Sequence, residues 1–206
     1  MNPSTSTAAA TGLAENPAER QLTGPELERA RVFLHQTRCY VVGATKGLSE
    51  AQWQFKPAPE AWSIAETVHH MVVVMDLVLG PIRQQLATAP PPSADYDYKQ
   101  VDEIVITQVS VRLQKFPGPP AVHPVGQLAP AIALDRLLNG YERLTEYLAS
   151  TPDLRQHVRD APPIKAISKG VFESIDGYQW ILTAAAHNER HTKQILEVKA
   201  DPNFPA

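Results

Sequence analysis

The chain has 206 residues, a length that favours one domain with tails over two, and 43% of them are hydrophobic, enough to bury a core. Its formal charge of −3 lacks the excess of an electrostatic nucleic-acid binder, so no nucleic-acid partner is expected. Cys39 is the one cysteine in the sequence, which excludes an intrachain disulfide framework and fits a reducing, cytoplasmic compartment.

Residues 1–22 are rich in Ala, Thr, Ser and Pro and lack periodicity, so they read as a disordered leader. They have neither the basic start nor the apolar stretch of a signal peptide. Nothing approaches the roughly 18 apolar residues of a membrane span. The longest candidate, Met71 to Leu79, is interrupted by Asp76, and no membrane partner is expected. The 19 prolines are close to twice the usual share of about 5% and mark where elements stop. Residues 23–199 read as one helical-bundle domain, and residues 200–206 as a C-terminal tail.

The first helix starts near Pro25, where proline suits the first helical position, and Gly47 ends it. Leu27, Ala30, Leu34, Thr37, Val41 and Ala44 recur at the 3-4 spacing of one buried face. The second helix opens at Ser63, with Glu66 at capping-box spacing. Ile64, Val68, Met71, Met75, Val78, Ile82 and Leu86 form its apolar face, and Ala89-Pro90-Pro91-Pro92 stops it. Residues 88–128 are a long insertion. Both a strand and a short helix fit Val101 to Leu113, and the prolines between Phe116 and Val125 require irregular backbone. The third helix follows Pro130, with Leu134, Leu137, Leu138, Tyr141, Leu144 and Leu148 on one face. Residues 151–174 read as irregular again, and a fourth helix spans about Ile175 to Val198. Four amphipathic helices joined by loops predict an all-α four-helix bundle with a long irregular insertion between helices two and three.

His187-Asn188-Glu189-Arg190-His191 is the most informative segment. Residues four apart share a helix face, so both imidazoles point the same way and can bind one metal ion. At 100° per residue they cluster with Trp180, Thr183, Ala184, Gln194, Ile195 and Val198. Asn188, Glu189 and Arg190 project toward surface or dimer contacts. The pair fits either a metal or two histidines satisfied by backbone carbonyls. A third histidine would complete the open three-ligand arrangement usual for catalytic zinc. His69 and His70 project almost symmetrically about the stripe of the second helix. His70 shares its side with Thr67, Val74 and Leu77, and His69 with Asp76 and Arg83, which favours His70 as the inward one.

Leu48-Ser49-Glu50, Lys56-Pro57-Ala58-Pro59 and Trp62-Ser63-Ile64-Ala65-Glu66, ending at His70, resemble the second-helix motif of the DinB/YfiT-like metalloenzyme superfamily. The fourth-helix pattern is similar too: Trp180, His187, Arg190-His191, Gln194 and Ile195. The resemblance covers roughly residues 25–198. It implies a four-helix bundle and a three-histidine metal site formed by His70, His187 and His191. It also implies a homodimer, and in some members thiol-dependent S-transferase or isomerase chemistry with a low-molecular-weight thiol. The DinB name does not imply DNA binding.

Glu66, one turn before His70, reads as a fourth ligand, a hydrogen-bond partner of a ligand or a proton acceptor, although its capping role already accounts for it. His123 reads as a solvated loop residue that approaches the metal only if its loop is a lid. Cys39 reads as a small core residue. Trp62 and Trp180 read as packing residues, with Trp180 on the histidine side of its helix and able to wall the pocket. Imidazole ligands suit zinc first, and also nickel and iron. Two functions follow. One is a metal-dependent enzyme acting on a small molecule as a thiol-dependent transferase or a related hydrolase or isomerase. The other is a non-enzymatic dimeric bundle that binds a small molecule or partner, its metal structural or absent.

Overall fold

The computed structural model describes residues 19–112, 120–124 and 128–206. Most of the expected leader, together with Leu113, Phe116 and Val125 of the insertion, lies outside the described residues. Helices α1 (Gly24–Thr45), α3 (Ile64–Gln85), α5 (Pro130–Ser150) and α7 (Gly177–Lys199) are the four expected from the sequence. Three shorter helices join them: α2 (Glu50–Gln54), α4 (Tyr98–Gln108) and α6 (Pro162–Ile167). Strands β1 (Val158–Asp160) and β2 (Ser174–Asp176) pair antiparallel, with Val158 opposite Asp176. No described helix is long and apolar enough to cross a membrane.

The helix starts are chemically specified. Thr23 with Glu26, Ser49 with Gln52, Ser63 with Glu66 and Asp176 with Gln179 all form reciprocal capping boxes. Each satisfies two amide N–H groups that a helix start otherwise leaves unpaired. The seven apolar residues expected on the α3 face are all buried. Each such side chain contributes about 1.5–3 kcal/mol through burial. Where α5 crosses α3, a Cβ on Gly140 would stand 2.6 Å from Met75 Cγ, so a glycine permits the close approach.

Helix α7 is the centre of the molecule and packs against α1, α3, α4 and α5. It runs parallel to α1: the Tyr178 hydroxyl donates to the Glu26 carbonyl near one end, and Lys199 Nζ to the Ala44 carbonyl near the other. Asn188 and Arg190 are therefore buried, contrary to their projected place at the surface. Asn188 faces Tyr141 of α5, and for Arg190 the physical reason is the insertion. Its middle is the helix α4, capped by Asp97, with Val101 and Val105 buried, and it covers a side of α7 that a simple four-helix bundle leaves to solvent.

Two more expectations need correction, and the tail adds a contact. Residues 151–174 are not irregular, since they hold β1, α6 and the start of β2. Cys39 is exposed rather than in the core, because Thr37 and Val41 take the inward positions on either side of it. The tail docks: Phe204 packs edge-on against Phe55, and Gln52 Nε2 donates to the Pro205 carbonyl.

Candidate metal centre

His70 comes from the second turn of α3, and His187 and His191 from successive turns of α7. Packing of α3 on α7 brings the three rings together, with centroids 4.4–5.0 Å apart. One ring nitrogen from each lies within 4.8 Å of the other two, a group able to hold one metal ion. His70 and His191 are buried and His187 is partly exposed. His69 lies outside the group.

The hydrogen bonds orient the lone pairs. His70 Nδ1 lies 2.7 Å from the Val122 carbonyl. A carbonyl only accepts, so Nδ1 carries the proton and Nε2 is left as an acceptor. His191 Nδ1 lies 2.9 Å from Gln194 Oε1, which leaves its Nε2 an acceptor as well. His187 Nε2 approaches His70 Nε2 to 3.1 Å, and His187 Nδ1 is buried with no hydrogen-bond partner among the described residues. One proton on His187 cannot satisfy two facing lone pairs, so the cluster is short of donors. A divalent cation is the species that such a donor set accommodates.

Electrostatics agrees. Burial, then the neighbouring His70, pushes His187 down to about 3. Burial, then His187 and His70, holds His191 well below the usual imidazole range. Burial lowers His70 too, against the pull of the Val122 carbonyl. All three rings are neutral at pH 7, the state in which imidazole binds metals.

Trp62 walls the site. Its indole lies 4.9 Å from the His70 ring and near-parallel to His191 at 6.4 Å. Trp180 instead packs against the hydrophobic core. The insertion reaches the site through a 3-10 turn, Pro120–Val122, whose last carbonyl holds His70. His123 follows it, exposed, its ring edge-on to Trp62 at 5.9 Å and outside the three-histidine group. Glu66 is occupied elsewhere: one oxygen accepts from the Ser63 amide at 2.7 Å and the other from Lys56 Nζ at 3.0 Å. Burial pushes its carboxyl up, and the Ser63 amide and the Lys56 ammonium more than reverse that. His35 lies on α1 beside Cys39, and His157 Nδ1 bonds the Ala89 carbonyl.

Sequence reasoning did not find Val122, and no signal for it exists, because every residue carries the same carbonyl. Gln194 was visible on the histidine face of α7, but its partner Arg112 was not, since that contact spans 82 positions.

Comparison with known proteins agrees with this architecture. The chain is 24% identical over 168 residues to uncharacterized protein YuaE of Bacillus subtilis (strain 168), an alignment covering 81% of this chain and 95% of the relative. No solved structure matches the chain. The family model for the DinB superfamily matches residues 34–195, which includes α3, α5 and all three clustered histidines. The chain belongs to the DinB superfamily.

Proposed function

We propose that the protein is a metal-dependent enzyme in which His70, His187 and His191 hold one divalent cation, zinc first and nickel or iron as alternatives. The observation that carries this reading is the convergence of three neutral imidazoles, two with Nε2 set as an acceptor by a partner on Nδ1. Among the described residues, no carboxylate belongs to the group. Bound there, a cation keeps its full charge and supplies Lewis acidity, which makes water or a thiol a nucleophile near neutral pH.

The chain's own residues supply the setting. Val122 and Gln194 fix the rings that bear on the cation. Trp62 shields one side from solvent, which strengthens electrostatic interactions in the site. The reaction class that fits is group transfer to or from a small molecule with a low-molecular-weight thiol as cosubstrate, or a related hydrolysis or isomerisation. Resemblance to the family supports the thiol reading and a homodimer.

The test loads the protein with zinc, nickel or iron in turn. Each form is then assayed for thiol conjugation to a soluble electrophile and for ester hydrolysis. Metal-dependent turnover that His187→Ala abolishes is expected. Turnover that survives both chelation and His187→Ala contradicts the proposal. Tight metal binding without turnover in a wide substrate screen favours a binding module.

A further inference from the structure

Gln194 has two possible orientations, and only one of them suits a metal site. With Oε1 toward His191, the amide accepts from Nδ1–H and leaves Nε2 with its lone pair. With Nε2–H toward His191, the amide donates, and the His191 proton moves to the nitrogen that should face the metal. The two orientations have nearly the same shape, so packing cannot choose between them.

Arg112 can. Its Nη1 lies 3.1 Å from Gln194 Oε1. A guanidinium has no acceptor, so the amide must turn its oxygen toward it, and that same oxygen is the one 2.9 Å from His191 Nδ1. Arg112 is itself clamped: Nε and Nη2 donate to the two carboxylate oxygens of Glu197 at 2.8 and 2.7 Å. That bidentate pair leaves Nη1 as the nitrogen free to reach Gln194. Arg112 lies just beyond α4, so the chain runs from the insertion to α7 and back to the site.

We propose that Arg112 is a positioning residue that sets the tautomer of His191 by orienting the Gln194 amide, with Glu197 holding the guanidinium in place. The inference rests on the three-histidine reading of the site, and it assigns the insertion a role in preparing a metal ligand.

The experiment is long-range proton–nitrogen NMR on protein labelled at the histidine nitrogens and stripped of metal, compared across wild type, Arg112→Met, Arg112→Lys and the double variant Arg112→Met/Gln194→Glu. Wild type is expected to show one His191 tautomer, protonated at Nδ1. Arg112→Met is expected to mix both tautomers, and Arg112→Lys, still donor-only, to keep one. In the double variant the carboxylate can only accept, so the single tautomer returns without the arginine. A purely packing role for Arg112 would not be rescued by that change. Zinc affinity, read by competition with a chromophoric chelator, should fall by about 10-fold in Arg112→Met and recover in the double variant.

A single Nδ1–H tautomer in folded Arg112→Met overturns the inference, as does a mixture that Gln194→Glu fails to restore. If Arg112→Met does not fold, mixed tautomers in Arg112→Lys overturn it. Failure of the three-histidine reading looks different: wild type binds no zinc although the tautomers respond as described.

Discussion

Two polar clusters are buried along α7, and they solve the same problem in opposite ways. Near the cap of the helix, Arg155 is wholly buried and donates to Asp102, Asp176 and Glu26 at 2.7–3.2 Å. The ring of Tyr178 lies 4.1 Å from its guanidinium, and Gln179 Nε2 adds a bond to Asp102. Both terminal nitrogens of Arg155 are paired within the chain, and only its Nε has no hydrogen-bond partner among the described residues. Eleven residues on, about 16 Å along the helix, His187 begins a cluster with more acceptors than donors. A buried polar group costs stability unless it is paired. The first cluster is paired internally except at Arg155 Nε, and the second is the one proposed to take its complement from a bound cation. That contrast separates a group that fastens α1, α4 and α7 together from one able to hold a metal ion.

Deleting the cation of the first cluster should have the largest effect. Arg155→Met leaves three carboxylates facing one another, and urea unfolding should show a loss of about 3–5 kcal/mol. A loss below about 1 kcal/mol would mean that the network is not the fastening it resembles. The histidine cluster should respond with the opposite sign. His187→Leu removes a buried unpaired nitrogen, so the chelator-treated variant should be more stable than the treated parent by up to about 1 kcal/mol, while metal binding is lost. A large destabilisation without metal would show that the histidines hold the fold themselves.

The pH dependence sharpens the same contrast. Burial would push Glu26 up, but the Thr23 amide, Arg155 and Arg20 together lower it from 4.5 to about 2. Ionised Glu26 therefore stabilises the fold fully above pH 4.5, and that contribution is lost as pH falls through about 2. Glu26→Gln should flatten the fall in urea midpoint over this window relative to the parent; parallel curves would contradict the assignment. The smallest effect belongs to the partly exposed Asp76, paired with Arg136 at 3.0 Å and Arg143 at 2.8 Å. Asp76→Asn should change stability by no more than about 0.5 kcal/mol in the same assay, the range of solvent-screened pairs.

Much of the fold was legible because it rests on periodicity and capping. The apolar face of α3 is buried residue for residue, and the capping-box spacing read at Ser63 recurs at Thr23, Ser49 and Asp176. What periodicity misses is the identity of the second surface on a helix. Arg190 projected outward, yet it is buried because the insertion folds as α4 and covers that side. The strand-like composition of Val101 to Leu113 concealed this, since Val101 and Val105 serve equally as a helical pair. The histidines of the site were legible because side-chain type and spacing carry their chemistry. The choice of His70 over His69 was only partly so: Thr67 is buried, but Leu77, used to mark the inward side, is 48% exposed, and the family motif carried the choice instead. The supports of the site were not legible. Val122 acts through its backbone, and Arg112 and Arg155 are charged residues whose partners lie far away in sequence.

The central claim is that the acceptor-rich cluster is completed by a cation. The most direct measurement is elemental analysis of protein purified without chelator and then loaded with zinc, nickel or iron, beside His70→Ala and His187→Ala treated identically. About one metal ion per chain in the parent and little in either variant is the expected result. A parent that retains no metal under any of these conditions, or an alanine variant with full metal content, contradicts it.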